Sequence, residues 1–418
     1  MRGDKKEAWC GVVALVLAGW LAGCDTDSAL SGYLGVGALS PSLDSSELVF
    51  SEITGPFGQV YDLASEGTSA SVRGEIVAPG ATVGYEIGPV SAGDRLIIEV
   101  RSLTSGFDPA AAVFDQDDNV LLVNDDRSYY GGERDPQLDF VVREDHDRCT
   151  VTVTSSPRSE TTGEFSLTVQ HRLGSGVNPP RPQIVYLNFH GEQQVTIGRR
   201  APVDVPPFSG SMIGPAYAND TQALIESMLE HVRDDYRGFN VTIIGSNESD
   251  PPTEPHTTIH LGSYNPSLLG IADSVDGFNE DPVQQAIVFV DTFQVFAPLE
   301  PTIDELGAAL ANVTSHELGH LLGLNHTHDS TGIMDISASL RQMLADQSFK
   351  RSPLNDDTFP AGYQDAVGRL LMGVGGDEAL VRAVGTLRAA EYRDPWYDEG
   401  PHESARGQFL FGTACPGE

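Results

Sequence analysis

The stretch HELGHLLGLNH, residues 316–326, places three histidines and a glutamate at regular intervals late in the chain. Positions i and i+4 of an α-helix lie on one face, about 5 to 6 Å apart at Cβ, so His316 and His320 can direct their imidazoles at one metal ion. Glu317 lies beside them, where a carboxylate can act on a nucleophilic water as a general base without ligating the metal. This pattern indicates metal-assisted hydrolysis.

A third ligand requires the helix to end and the chain to reverse. Gly323 suits that turn, because glycine adopts the left-handed conformation that other residues resist. His326 follows three residues later and completes a three-nitrogen site with one coordination position open, as in catalytic zinc sites. His328 and Asp329 come soon afterwards and are alternative ligands.

Chance alone is a poor explanation of the full pattern, H-E-x-x-H-x-x-G-x-x-H. The composition of the chain gives on the order of 10⁻⁴ chance matches, with the frequency of all acidic residues taken as a ceiling for glutamate. The alternative is that the histidines are solvated or buried on an amphipathic helix. That helix has enough leucines for its core face, so packing does not require the histidines.

The motif resembles the zinc-binding consensus of the metzincin metallopeptidases, and its LGL-x-H wording is close to the matrixin-like branch. That clan follows its third histidine with a Met-turn, a methionine on a tight turn beneath the metal. Met334, in the sequence TGIMD, matches that methionine. The resemblance covers roughly residues 183–375 and implies a zinc peptidase in which the three motif histidines bind zinc and Glu317 is the catalytic base.

The segments around the motif predict an α/β (α+β) domain over residues 183–375, because strands alternate with helices. His256 and His260 fit a strand near the cleft and are interpreted as structural. Helices are expected over 221–239, with Asp220 as N-cap, over 303–323 and over 363–373, and strands over 184–191, 240–244, 257–261 and 285–291.

Residues 51–173 contain short β-rich runs broken by glycine, aspartate and proline, which predicts an all-β sandwich. A Gly- and Pro-rich linker over 174–182 separates it from the second domain, so the chain is expected to be multidomain. The runs YEIGPVSAGDRLIIEV, DPAAAVFDQDDNVLLVNDD and GEFSLTV resemble the bacterial pre-peptidase C-terminal domain, a β-sandwich attached to secreted peptidases.

Two further features leave alternatives open. Oxygen ligands for calcium occur in residues 272–282 and at Asp125 and Asp126, where a solvated acidic loop and ordinary turn chemistry are the alternatives. Cys149 and Cys415 could form a disulfide in an oxidising compartment, or they could stay apart, because the sequence gives no distance between them.

The N-terminus has the pattern of an export signal. Basic residues precede a short apolar run, and LAGC at residues 21–24 resembles the lipobox of bacterial lipoproteins. The resemblance implies a signal peptide over 1–23, a lipidated Cys24 anchoring the protein to a membrane, and a tether over 24–50. The expected location is the cell envelope or surface of a bacterium, with an ordinary cleaved signal peptide as the alternative.

The formal net charge of −35, with only 25 lysines and arginines, excludes nucleic acid as an expected partner. An acidic tail over 376–418 has no recognisable chemistry. The sequence therefore predicts an exported zinc endopeptidase acting on a protein or peptide substrate. The alternative is a non-catalytic surface lipoprotein that binds a protein or glycan partner with a vestigial metal site. The presence of Glu317 disfavours it, because a structural site needs no general base.

Overall fold

The structure is a computed structural model that describes residues 53–55, 58–62, 69–127, 132–157, 159–174, 176–391 and 412–414. Cys24, the predicted signal peptide and the predicted tether lie outside the described residues, so these assignments stay predictions. The described residues combine α-helices and β-sheets, with a β-rich N-terminal part followed by a part that combines sheets with helices.

The described residues of the N-terminal part form ten strands: β1 (Ile53–Gly55), β2 (Gly58–Asp62), β3 (Ser69–Ile76), β4 (Val83–Ile87), β5 (Arg95–Ser102), β6 (Pro109–Phe114), β7 (Val120–Asn124), β8 (Gln137–Val141), β9 (Cys149–Ser155) and β10 (Gly163–Arg172). They form a six-stranded sheet in the order β1-β2-β4-β9-β6-β7 and a four-stranded sheet in the order β3-β10-β5-β8. Neighbouring strands pair antiparallel except β2 and β4, which are parallel. The two sheets share one apolar core, which makes this part a sandwich.

The burial of individual strands shows how the sandwich is built. In β10, Phe165, Leu167 and Val169 are buried while the residues between them are partly exposed, as expected for a strand with one face on the core. In β6 every residue is buried. Ala111 and Val113 face the sandwich core, whereas alternate residues of the same strand belong to a second apolar cluster outside it. A strand buried on both faces must be covered on both sides.

The second part contains the remaining elements. The strands are β11 (Gln183–Asn188), β12 (Glu192–Val195), β13 (Val203–Val205), β14 (Val241–Gly245), β15 (Thr257–Leu261), β16 (Leu268–Ala272), β17 (Gln285–Val288), β18 (Arg351–Pro353), β19 (Tyr363–Asp365) and β20 (Gly412–Ala414). The α-helices are α1 (Thr221–Asp235), α2 (Ile303–Leu321), α3 (Leu340–Met343), α4 (Ala366–Val374) and α5 (Glu378–Glu391). Three 3-10 helices span Gly210–Met212, Pro215–Tyr217 and Val290–Leu299.

The main sheet of this part has the order β14-β11-β15-β17-β16-β20. The first four strands are parallel, β16 runs antiparallel to β17, and β20 runs parallel to β16. Helices α1 and α2 pack against each other and contribute to the largest apolar core of the described residues, together with this sheet. A smaller cluster around Ile271, Ile287 and Phe289 also contains residues of β12 and β13.

The three predicted helices are present as α1, α2 and α4, with different ends, whereas α3 and α5 are not predicted from the sequence. Helix α1 starts after Asp220, but the Asp220 side chain makes no capping hydrogen bond, and the helix stops at Asp235 instead of continuing to residue 239. Helix α4 starts at Ala366, because residues 363–365 pair as a strand with β18. Helix α5 lies within the predicted acidic tail. No helix of the described residues is both long enough and apolar enough to cross a membrane.

Candidate metal centre

Helix α2 carries the first two histidines of the motif. It begins with a capping box, in which the Thr302 side chain accepts from the Glu305 backbone N–H and the Glu305 carboxylate accepts from the Thr302 backbone N–H. From Leu306 onward every residue of the helix is buried. The rings of His316 and His320 therefore lie on a rigid, enclosed face, with centroids 4.7 Å apart.

A glycine turn brings the third histidine to the same place. Gly323 has φ +93°, and a Cβ added there would lie 2.7 Å from the backbone oxygen of Asp276, so both the conformation and the close approach require glycine. The backbone N–H of Leu324 donates to the Gly319 carbonyl, which closes the helix end. His326 then lies with its ring centroid 4.8 Å from that of His320.

The three imidazoles converge through their Nε2 atoms. Nε2 of His320 lies 3.1 Å from Nε2 of His316 and 3.1 Å from Nε2 of His326. Each Nδ1 contacts an acceptor: the Ile333 carbonyl at 2.7 Å for His316, the Leu324 carbonyl at 2.8 Å for His320, and the Asp357 carboxylate at 3.0 Å for His326. A carbonyl can only accept, so Nδ1 of His316 and His320 carries the proton and Nε2 presents a lone pair.

This donor set fits zinc. Burial, with a smaller contribution from His326, lowers the pKa of His316 to about 3, and burial together with the other two histidines lowers the pKa of His320 well below its usual range. Both rings are therefore neutral at pH 7, the state that binds a metal. Among the described residues, these three histidines are the one group of three or more side chains placed to hold a metal ion.

Glu317 follows His316 on α2, in a position that packing alone does not explain. Its side chain is completely buried, and neither carboxylate oxygen has a hydrogen-bond partner among the described residues. The carboxylate packs against Gly270 of β16, where an added Cβ would lie 2.7 Å from Glu317 Cδ. A buried carboxylate without partners is costly, which is typical of a functional group rather than a structural one.

Met334 lies against α2, the helix that carries His316 and His320. It is buried, its carbonyl accepts from the Thr327 N–H, and a Cβ on Gly319 would lie 2.5 Å from its Sδ. The role of Met334 in a Met-turn stays a prediction. The two alternative ligands lie elsewhere: His328 is exposed, and Asp329 forms an ion pair with Lys350 at 2.9 Å.

A narrow cavity opens beside His316. It is mainly apolar, with Asn312, Asp335 and Gln347 as its polar members besides the histidine. It has room for little more than one water molecule, so it does not accept a substrate side chain in this conformation. The apolar side chains that line it are Leu269, Val313, Ile333, Ile336, Ala338 and Met343.

The other sequence candidates have separate surroundings. His260 is buried, and its ring nitrogens contact Asn188 and Gln285, consistent with a structural histidine. In the acidic loop over 272–282, the Asp276 carboxylate accepts from backbone and side-chain N–H groups of the protein. Calcium binding there, and at Asp125 and Asp126, stays a prediction. Cys149 is buried in the sandwich core, and since Cys415 lies outside the described residues, their pairing also stays a prediction.

Sequence reasoning missed three residues that contact this centre. Asp357 accepts from His326 across 31 residues of sequence, and Arg369 bonds the Gly323 carbonyl across 46 residues. Gly270 is the third. None of them belongs to the motif, and none has a spacing that predicts its contact. A carboxylate behind a metal-binding imidazole fixes its orientation, so Asp357 completes the centre.

Comparisons with known proteins give further information. No curated protein sequence matches the chain. Among solved structures, the archaemetzincin of Methanopyrus kandleri is 14% identical, covers 49% of this chain and 96% of its own, and has a TM-score of 0.23. A zinc-dependent peptidase of Methanocorpusculum labreanum is 12% identical, with 39% and 93% coverage and a TM-score of 0.24.

The N-terminal part has neighbours of its own. The pre-peptidase C-terminal domain of a Bacillus anthracis collagenase is 13% identical, covers 27% of this chain and 95% of its own, and has a TM-score of 0.22. The sequence model of the matrixin family matches residues 188–357, a segment that contains His316, Glu317, His320 and His326, and this match supports a zinc metallopeptidase.

Proposed function

We propose that this protein is a zinc-dependent endopeptidase that hydrolyses peptide bonds of extracellular or envelope proteins. The observation that carries the proposal is the convergence of three Nε2 atoms, together with a buried Glu317 carboxylate on the helix that carries two of these histidines, which has no hydrogen-bond partner among the described residues. The matrixin match supports the same class of reaction. His316, His320 and His326 would hold the zinc.

Zinc bound by three imidazoles supplies a Lewis acid, which polarises a peptide carbonyl and makes water more acidic. Burial raises the pKa of the Glu317 carboxyl well above its usual range, and the charge of a bound zinc ion would oppose that rise and favour the carboxylate form that a general base needs. Glu317 takes a proton from the attacking water and then donates it to the nitrogen of the leaving amine.

We further propose that the protein is exported and anchored by lipid on Cys24. The support is the lipobox-like sequence LAGC after a short apolar run. In bacterial cells given labelled palmitate, the label should appear on the parent protein and not on the Cys24→Ser variant. Equal labelling of both would contradict the anchor and leave the ordinary signal peptide as the explanation.

The peptidase activity is tested with a quenched mixed-sequence peptide library and the purified mature chain. Glu317→Gln should lower the rate of cleavage by about 10²- to 10⁴-fold, the usual contribution of a general base, while the zinc content stays at that of the parent. Glu230→Gln, which changes an exposed glutamate on α1, is the matched control and should cleave at the parental rate. A parent that binds zinc but cleaves nothing would favour the non-catalytic alternative, and a parent without zinc would refute the site.

A further inference from the structure

The sandwich and the second part of the molecule share an apolar core. The outer face of strands β6 and β7 packs against residues that follow the metal-binding motif, and the rings of Phe114 and Phe359 lie 5.6 Å apart. An added Cβ on Gly362 would lie 2.8 Å from Phe114 Cδ1, so the two surfaces are in close contact. The cluster consists of Ala110, Ala112, Phe114, Val120, Val123, Leu354, Phe359 and the partly buried Ala361.

Polar contacts continue this interface around its edge. The Arg351 side chain donates to Asn119 Oδ1 and to the Asp117 carbonyl, each at 2.7 Å. The backbone N–H of Tyr363 donates to the Asp118 carbonyl at 2.9 Å. The loop between β6 and β7 is therefore fixed to strands β18 and β19, which flank the segment that carries Asp357.

Arg369 connects the two parts at the metal-binding motif itself. Its guanidinium is buried and donates to the Gly323 carbonyl through Nε at 3.2 Å and Nη2 at 2.9 Å. Nη1 donates to the carbonyls of Val120 and Leu121 in β7, each at 2.8 Å. Burial lowers the pKa of Arg369 to about 10, so it remains charged at pH 7. One cation therefore joins the glycine turn of the motif to a strand of the sandwich.

The segment over 354–359 contacts the third histidine directly. Its Asn355 N–H donates to the His326 carbonyl at 3.1 Å, and its Asp357 carboxylate accepts from His326 Nδ1 at 3.0 Å. Leu354 and Phe359, near the two ends of the segment, are buried in the shared core. The backbone and the ring of His326 are thus both held by a segment that packs on the sandwich.

The third histidine is the ligand that needs such support. His316 and His320 are one turn apart on a single buried helix, so the helix alone fixes their spacing. His326 comes after a glycine turn and is placed by the contacts of Gly323 and of residues 355 and 357. Each of these contacts leads to the sandwich through Arg369 or through the shared core.

We propose that the sandwich supports the metal centre. Arg369 and Phe114 are positioning residues that keep His326 aligned with His316 and His320. This inference rests on the proposed zinc site. It assigns the N-terminal part a role within the reaction centre, in addition to any partner that the rest of its surface binds. Arg369 donates to three carbonyls in two directions from one planar guanidinium group. A lysine ammonium lacks this planar geometry, so an arginine is required at position 369.

The test uses the full chain and two matched pairs of variants. Arg369→Lys is compared with Arg95→Lys, which changes an exposed pair with Asp139, and Phe114→Leu is compared with Phe165→Leu, which changes a fully buried ring in the sandwich core. The zinc dissociation constant of each folded protein is measured by competition with a chromogenic chelator. Thermal unfolding of each variant is followed by calorimetry in parallel.

The inference predicts that Arg369→Lys weakens zinc binding by about 10- to 100-fold, the usual effect of disturbing the support of a metal ligand, and that Phe114→Leu weakens it several-fold. Arg95→Lys should bind as the parent does, and Phe165→Leu should lower the unfolding temperature without changing zinc affinity. Parental affinity in both Arg369→Lys and Phe114→Leu would overturn the inference. An equal loss in Phe165→Leu would also overturn it, since general destabilisation would then explain the effect.

A parent that binds no zinc would refute the proposed function, and calorimetry would still decide whether the sandwich supports the part that carries the three histidines. The shared core and Arg369 predict that the sandwich and the second part of the parent unfold in one transition, which Arg369→Lys separates into two. Two transitions in the parent that Arg369→Lys leaves unchanged would show that the sandwich does not support the centre.

Discussion

The proposed general base depends on a glycine in a neighbouring strand. Gly270 of β16 leaves room for the Glu317 carboxylate, and a methyl group there would lie 2.7 Å from both Cγ and Cδ of the glutamate. We expect Gly270→Ala to displace the carboxylate and to lower kcat/KM by about 100-fold, within the range of general-base catalysis, with zinc content unchanged. Steady-state kinetics and zinc analysis check this.

A matched control is Gly214→Ala, because an added Cβ at Gly214 meets only ordinary contacts at 3.7 Å or more. This variant should keep the parental kcat/KM. If Gly270→Ala were as active as Gly214→Ala, the Glu317 carboxylate would not need the position in which it lies, and its role as the base would lose its geometric support.

The contact between Asp357 and His326 leads to a second prediction at this scale. Asp357→Asn keeps an acceptor for Nδ1 of His326 but removes the negative charge, so we expect zinc to bind about 10-fold more weakly. Asp356→Asn changes the net charge by the same amount at the neighbouring exposed position and should leave zinc affinity unchanged. Chelator competition measures both. Equal affinities would mean that the charge behind His326 is irrelevant to the metal.

The chemical residues were predictable because their spacing is local. His316 and His320 share a helix face, and Gly323 allows the turn to His326, so three candidate ligands and a proposed base follow from eleven consecutive residues. The contacts of Gly270, Asp357 and Arg369 depend on segments that are distant in sequence. Nothing in a single sequence predicts such contacts, because they arise only when the whole sheet and the shared core have formed.

At the scale of secondary structure, local sequence predicts helix α2, whereas strand β16 depends on contacts that are distant in sequence. The sequence predicts a helix over 303–323, and α2 spans Ile303–Leu321, with a capping box that a local pattern can specify. Strand β16 escaped prediction because LLGIA has a glycine at its centre and no alternation of polar and apolar residues. It is a strand because it pairs with β17 and packs against α2, which are tertiary effects.

The stability of the protein depends on pH through a carboxyl group, that of Asp235, which lies between α1 and α2. Asp235, at the end of α1, is largely buried and accepts from Ser315 Oγ of α2 at 2.6 Å. Burial raises its pKa to about 7; the Ser315 hydrogen bond and His231 oppose the rise, and Asp346 adds to it. The folded state thus keeps a proton that the unfolded chain, with a pKa near 3.8, has already lost.

A raised pKa in the folded state makes this carboxyl favour folding at low pH, and the contribution is lost as the pH rises from about 4 to about 7. Asp235→Asn removes the titration and keeps an oxygen for Ser315. We expect its free energy of unfolding to exceed that of the parent at pH 8 by on the order of 2 kcal/mol, since one pKa unit corresponds to about 1.4 kcal/mol. Urea unfolding at pH 4 and pH 8 checks this, and a difference between the two proteins that is the same at both pH values would contradict it.

At the scale of the whole molecule, the two parts of the chain form one structural unit around the motif. The sequence indicates a sandwich and a mixed domain joined by a Gly- and Pro-rich stretch, but it does not indicate that they share a core. The β6 sequence PAAAVF is apolar at every position, which predicts burial on both faces without showing what covers the outer one. The covering surface comes from residues 354–361, more than 230 positions later in the chain.

The stabilising effect of zinc binding should therefore extend into the sandwich. Zinc bound only by the folded state stabilises it by about 2.7 kcal/mol when free zinc is 100 times Kd, and this stabilisation spreads through the contacts that the site shares. We expect chelation of zinc to speed amide hydrogen exchange in β7, which Arg369 joins to the Gly323 carbonyl, while β3, an edge strand of the other sheet whose amides exchange by local opening, changes little. Hydrogen exchange followed by mass spectrometry, with and without chelator, measures this. In zinc-loaded Arg369→Lys, adding the chelator should no longer change the hydrogen-exchange rate of β7. A protection change confined to residues 316–334 in the parent would show that the sandwich and the metal centre are independent.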